Sequence, residues 1–246
     1  VTTGSVATPL LAIELSQRVG GVALIGADGR EHVAVIAGGR RDVDELAPAV
    51  AAVLAEAELD AAAISTVAVD VGPGGFTGLR ISVAIGQAIA EAANASVVAV
   101  PGAVVALAST PEVAGVAGRA LVLSAAKAGT AWGTLFERTD AGRDWTVVGQ
   151  PGILDGPPTG PLAVVLADEH LDSEFHAAIP REVPIVVPRF DAAALAKRAL
   201  AGGPGLVVHA DPARLQPLYP REPEAVRIWR ERHSDNQSAT SVPGRG

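Results

Sequence analysis

Apolar positions change their spacing several times along the chain, and the changes predict the elements. Leu10–Ile13 is a continuous apolar run and reads as a buried strand. After Gly20-Gly21, the runs Val22–Ile25 and Val33–Ile36 flank Gly26-Ala27-Asp28-Gly29. Asp-Gly between two apolar runs is a hairpin signal, so the chain is expected to open with three antiparallel strands. The period then lengthens. Val43, Leu46, Val50, Val53, Leu54 and Ala57 recur at helical spacing, which predicts an amphipathic helix over 43–58. Asp42 and Glu45 have capping-box spacing, and Pro48, about two turns in, removes one hydrogen bond. Thr66–Asp70 is the next strand and leads into a glycine-rich turn at 72–80.

The segment after that turn is apolar on two sides. Gly78, Ser82, Gly86 and Ala90 form a ridge of small residues; Ile81, Ile85, Ala88, Ile89 and Ala92 form a bulkier stripe. A helix over 77–92 with two apolar faces must bury both, one on the sheet and one elsewhere. Ser96–Val100 follows as a strand and 101–108 as a helix, and the chain loosens at 110–118. A second unit is expected from about Ala120, with strands at Leu121–Leu123, Thr130–Phe136 and Trp145–Val148. Gln150–Pro161 holds four prolines and three glycines and reads as a loop. Short apolar runs at 162–166, 185–187 and 206–208 and a helix at 192–201 complete that unit. A charged helix is expected at 221–233 and a disordered tail at 234–246.

Composition narrows the chemistry. The 246 residues, 49% hydrophobic and 19% charged, can fill one large or two small cores. The net charge of −8 gives no strong positive field for nucleic acid. With no cysteine there is no disulfide, no Cys-ligated metal and no Cys nucleophile. No apolar run reaches the ~20 residues of a bilayer span, and the first residues make a poor signal peptide. A cytoplasmic protein without a membrane contact is expected.

The glycine-rich turn, Gly72-Pro73-Gly74-Gly75-Phe76-Thr77-Gly78-Leu79-Arg80, carries the strongest local signal. Its amides suit either an anion or a tight structural turn, and Thr77 has the side chain of an N-cap. It is neither a P-loop nor a Rossmann fingerprint. Arg80 suits a phosphate, a carboxylate, a partner or solvent. His32, His170, His176, His209 and His233 lack HExxH or HxxxH spacing, so no metal is expected. Ser16, Ser82 and Ser124 lack a nucleophile-elbow context. Asp42, Asp44 and Glu45 suit the dipole of a helix start. Asp70, at a strand end, is the best isolated catalytic candidate.

The 72–80 segment resembles the G-P-G-S-F-T-G-L/V-R signature of the TsaB (YeaZ) family, with Gly75 in place of Ser. Leu10–Ser16 resembles that family's first strand, Val22–Leu24 its second, Leu46–Pro48 its first helix, and Pro217-Leu218-Tyr219-Pro220-Arg221 with Ala225 its P-x-Y-L-R motif and following helix. The resemblance implies an actin/sugar-kinase/Hsp70-type (ASKHA) α/β fold in two similar halves with mixed sheets: a flexible start at 1–9, halves at 10–100 and 101–220, then the terminal helix and tail. It implies a non-catalytic dimerisation subunit for threonylcarbamoyladenosine modification of tRNA, paired with a TsaD-type catalytic subunit that holds the metal, and with a TsaE-type ATPase. No cofactor is implied in the isolated chain, and ATP or ADP only in the assembled complex; tRNA is met through the complex. Two helices from each chain would close a four-helix bundle. The expected interface is Leu46, Val50, Val53, Leu54, Gly78, Ser82, Ile85, Gly86 and Ile89, a surface also suited to self-association.

Departures from the pattern are Glu14 and Leu15 for the first-strand Asp-Thr, Asp42 for a histidine after Arg40, and Ala125, Lys127 and Thr130 for a later Asp, Arg and Glu. Glu14 and Ala125 argue against nucleotide turnover. The alternative is an active nucleotide-dependent phosphotransferase of the same fold, carried by Gly72–Gly78, Thr77 and Asp70.

Overall fold

The computed structural model describes residues 6–37, 42–126, 129–203, 205–219 and 229. The first sheet begins with β1 (Leu10–Glu14), β2 (Gly20–Ile25) and β3 (Glu31–Ile36), an antiparallel meander as expected. Gly29, at φ 79°, supplies the left-handed residue of the β2–β3 turn. α1 (Asp42–Glu56) leads to β4 (Thr66–Gly72), α2 (Phe76–Ala93) to β5 (Ser96–Pro101), and α3 (Gly102–Ser109) closes the first half. β4 lies parallel to β1, and β5 parallel to β4.

β6 (Gly118–Ala125), β7 (Ala131–Arg138), β8 (Thr146–Leu154), β9 (Val164–Leu166) and β10 (Ile185–Val186) form the second sheet, with α4 (Ser173–Ala177) before β10. Its order, β8-β7-β6-β9-β10, repeats β3-β2-β1-β4-β5, and every pairing has the same sense. The two halves are one design used twice. The second copy is reduced: α4 has five residues where α2 has 18.

Alternation along the central strands sorts the core. Leu11, Ile13, Val22, Leu24, Val67 and Val69 face α1 and α2. Leu10, Ala12, Ala23, Ala68 and Val98 face α3 and α5 (Ala192–Ala201), and that cluster continues into Ala120, Val122, Phe136 and Leu166 of the second sheet. Both faces of β1 are buried, which is why its run is apolar throughout.

Two expectations are corrected. Residues 150–154 are not loop: β8 runs to Leu154. As the edge strand it tolerates Pro151, and its pairing with β7 shifts register around Gly149, at φ 71°. The second half also does not run unbroken to 220. After β10 the chain returns to the first sheet, where α5 covers β1 and β2 and β11 (Val207–His209) pairs with β5. The apolar side of α5, Leu195, Ala196 and Ala199, belongs to the core around Ala12 and Ala23.

Among the described residues no helix is long and apolar enough to cross a membrane. The start at 1–5, Arg40, Lys127, the Arg221 and Ala225 of the C-terminal motif, the terminal helix apart from Trp229, and the tail lie outside the described residues, as do the side chains of Asp42, Val43 and Asp44.

Candidate functional site

The signature segment joins β4 to α2 and is pressed against the turn that follows β1. Gly75 N–H donates to Ser16 O at 2.7 Å, and Gly72 N–H to Asp70 Oδ1 at 2.7 Å. A Cβ at Gly74 would lie 2.5 Å from Ser16 O, and one at Gly78 would collide with the Leu15 carbonyl oxygen. Gly72, at φ 91°, uses the left-handed region. Pro73 and Leu79 are buried beside it, and a Gly72 Cβ would meet Leu79 Cδ1 at 2.6 Å. Two loop amides are thus already bonded within the chain, which is the tight-turn arrangement. Thr77 is not the N-cap: Gly75 occupies that position, without a side-chain hydrogen bond, and Thr77 is exposed in the first turn.

The C-terminal motif meets the signature. Arg80 stacks its guanidinium 4.1 Å from the centre of the Phe76 ring and donates from Nε to Tyr219 Oη at 3.1 Å. The Phe76 and Tyr219 rings lie 5.5 Å apart. Leu218 N–H donates to Val71 O, Gln87 Nε2 to Leu215 O, and Leu215 is wholly buried beside Gly86. Residues 215–219 therefore form a strap along α2, which ties two sequence-distant motifs into one surface.

Beneath this surface, Glu14 ends β1 and Asp70 lies near the end of β4, where the parallel register pairs Ile13 with Val69. Both are 0% exposed. Glu14 Oε1 accepts from the Ser16 amide and hydroxyl; Glu14 Oε2 and Asp70 Oδ2 have no hydrogen-bond partner among the described residues. Burial, and then the neighbouring Asp70 carboxylate, push the Glu14 carboxyl well above its ordinary range. Burial also raises Asp70, while its hydrogen bonds with Glu14 and with the Gly72 amide oppose the rise. Both carboxyls are thereby shifted toward the protonated form. Asp70 is sealed in the core.

The cleft between the halves, beside Gly72 and Pro73, has a volume of 310 Å³. Pro101, Trp132, Thr134, Pro151 and Leu218 help to line it, and among the described residues no charged side chain does. The acid that would stand opposite Glu14 in the second half is Ala125, the last residue of β6. Ser16 and Ser82 are buried, donating to Glu14 Oε1 and Leu79 O. His32 faces Glu56 at 3.6 Å; Asp172 caps α4, whose last turn holds His176. Among the described residues no three His, Asp or Glu converge as metal ligands would.

The expected interface residues fall on both sides of their helices. Leu46, Val50, Val53 and Leu54 are buried on this chain's own sheet, as are Ser82 and Gly86. A Cβ on Gly86 would lie 2.7 Å from Val69 Cγ2. The small ridge therefore faces inward, letting α2 sit close to β4, and is corrected from partner face to core face. Ile81, Ile85 and Ile89 form a half-buried shoulder. What α1 and α2 turn outward along their middles is different: Ala47, Pro48, Ala51, Ala52 and Ala55 on one helix, Ala84 and Ala88 on the other, with exposed Glu45, Glu56, Arg80 and Glu91 toward the ends. The i, i+4 spacing of Ala47, Ala51 and Ala55 was a readable signal for that face.

Two mixed sheets of one topology, with helices on their faces, define the actin/sugar-kinase/Hsp70-type class of α/β protein. Comparisons place the chain further. The family model for TsaD, tRNA N6-adenosine threonylcarbamoyltransferase, matches residues 37–144, a span that contains the signature segment. A crystal structure of an uncharacterized protein with similarity to peptidase YEAZ from Pseudomonas aeruginosa superposes with a TM-score of 0.68 at 22% identity, covering 86% of this chain and 99% of that one. YeaZ from Pseudomonas aeruginosa gives 0.65 at 21% identity, with 85% and 98% covered. No curated protein matches the sequence significantly. The fold is that of these YeaZ structures, and the TsaD family model matches part of the chain, residues 37–144.

Proposed function

We propose that this chain is a non-catalytic TsaB (YeaZ)-type subunit in the synthesis of threonylcarbamoyladenosine in tRNA. It docks on a TsaD-type catalytic subunit and, through that pair, on a TsaE-type ATPase. The observation that carries the docking is the outward face of α1 and α2. Adjacent helices turn alanines outward, with Ile81 and Ile85 half-buried between core and surface. Small side chains let a partner's helices approach closely, and interaxial distance in a bundle is set by the side chains at the contact. The same face suits a second copy of this chain when the partner is absent.

A non-catalytic part is supported by the uncharged cleft and by the sealed Glu14–Asp70 pair. A triphosphate with its metal needs cations and accessible carboxylates, and the described residues that line that cleft include neither. Of the three serines a peptidase reading would weigh, Ser16 and Ser82 are buried and committed to Glu14 and Leu79, and Ser124 is half-buried in β6. With a net charge of −8, tRNA is met through the complex, and ATP or ADP belongs to the assembled subunits.

The test is copurification of the tagged chain from its own cells, followed by calorimetric titration with the TsaD-type subunit captured. A stoichiometric complex, with no ATP hydrolysis by the chain alone, supports the proposal. Substrate-linked ATP turnover by the pure chain that is lost in Asp70→Asn would overturn it in favour of the phosphotransferase.

A further inference from the structure

A second cavity, of 280 Å³, lies away from the signature segment, between α3, α5 and the β7–β8 turn. Leu107, Phe136 and Trp145 wall it, and Arg138 of β7 enters it. Arg138 is 8% exposed, and no carboxylate among the described residues lies within ion-pairing distance of it. Nε donates to Val116 O, and Nη2 to Val113 O and Ala114 O. The guanidinium stacks 4.2 Å from the centre of the Trp145 ring. Nη1 has no acceptor among the described residues.

This is an unusual use of an arginine. Three carbonyls fix its geometry, and none of them neutralises its charge. A buried cation without a counter-ion is costly, and an arginine stays charged. Burial accordingly pulls the Arg138 pKa down, with the more distant Asp140 opposing. The other cation at the cavity, Arg198, is already paired with Asp144 at 3.1 Å. The cavity thus offers one uncompensated positive charge, one free guanidinium nitrogen and apolar walls. Its volume falls just below the ~300–1,000 Å³ typical of ligand pockets, room for a small ligand only.

We propose that this cavity binds a small carboxylate with an apolar body, its carboxylate accepting from Arg138 Nη1. A phosphate dianion is a poorer match, because it needs more donors than one free nitrogen. The guanidinium is held before the ligand arrives, so binding orders no long side chain. The mouth is formed in part by the exposed Ala108 and Ala114.

Ligand-observed NMR titration of the full chain with phenylacetate and with its neutral isostere phenylacetamide tests this. The acid is expected to bind with Kd below about 1 mM, and the amide at least about tenfold more weakly, as one charge-assisted hydrogen bond implies. Ala108→Trp, on an exposed position, should abolish binding without unfolding the chain. Asp144→Asn frees Arg198 and should tighten the acid. Arg138→Gln should remove the preference for acid over amide; should it unfold the turn after α3, the acid-to-amide ratio and Ala108→Trp still decide. Equal affinity for acid and amide, binding that survives Ala108→Trp, or no binding of phenylacetate up to about 10 mM would each overturn the proposal and leave Arg138 a staple for the 113–116 turn.

Discussion

Glu14, the last residue of β1, and Asp70, near the end of the parallel β4, are neighbours and both 0% exposed, with Glu14 Oε2 and Asp70 Oδ2 lacking a hydrogen-bond partner among the described residues. Two carboxyls brought together out of water cannot both ionise without a large penalty, so the folded chain keeps a proton that the unfolded chain releases.

The sign of the resulting pH dependence follows. Both groups are raised in the folded state, so between the ordinary carboxylate range and their folded pKa values the native chain binds more protons than the unfolded one. Stability from this pair is therefore greatest on the acid side and falls as pH rises through that window. Thermal unfolding from about pH 6 to 9, above the sequence pI of 5.1, should show Tm falling with pH. Glu14→Gln supplies a permanent donor to Asp70, and the slope should flatten while Tm at high pH rises. An unchanged slope in that variant would mean that no proton is shared.

The inward ridge gives a second prediction. Gly86→Leu and Ser82→Leu push α2 from β4 at sites with no room. Overpacking of this kind costs about 1–3 kcal/mol, or roughly 2–12 °C in Tm for a chain of this size. The loss should appear in the isolated chain by thermal or urea unfolding. Full stability in both variants would mean that the ridge does not pack on the sheet.

The outward face gives the complementary outcome. Ala51→Arg and Ala84→Arg change exposed helix positions and should leave Tm within about 1–2 °C. Each should weaken binding to the TsaD-type subunit by about tenfold or more, since a large charged side chain lands in a close helix contact. Partner affinity that is unchanged in the double variant would move the interface off this face.

The comparison of these two helix faces shows what the sequence carries and where it stops. The meander was legible because its strands are apolar runs bounded by Gly and Asp, and α1, α2 and α5 because their apolar positions repeat at helical spacing. Orientation was not legible for α2. A small ridge and an isoleucine stripe are both apolar, and only the closeness of Gly78 to Leu15 and of Gly86 to Val69 decides which one meets the sheet. β8 was cut short because Pro151 and its glycines look like loop, while an edge strand tolerates them. The Glu14–Asp70 pair is 56 positions apart in sequence and is made by a parallel register that no local pattern states. A clue was present in both cases, an acid ending an apolar run just before a small-residue turn. The strap at 215–219 and its Arg80–Tyr219 contact joined two motifs that the sequence shows only separately.

The last prediction concerns Gly75, where the related signature has Ser. Gly75 is the N-cap of α2, at φ −61° and ψ 120°, backbone angles that serine adopts without strain. A Cβ there would lie 3.5 Å from Ser16 O, an ordinary contact, in contrast to the crowded positions 74 and 78. A serine hydroxyl at the cap accepts from an amide of the first turn, and the current glycine offers nothing there. Replacing glycine also removes conformational freedom from the unfolded chain. Gly75→Ser should therefore stabilise the isolated chain by about 0.5–1 kcal/mol, a rise of roughly 1–4 °C in Tm. Affinity for the TsaD-type subunit should not change, because position 75 lies on the loop and not on the alanine faces of α1 and α2. Gly74→Ser is the control. It places a side chain 2.5 Å from the Ser16 carbonyl oxygen and should destabilise. If both serines stabilise, or both destabilise, the turn after β1 does not press on the signature segment as the structure has it.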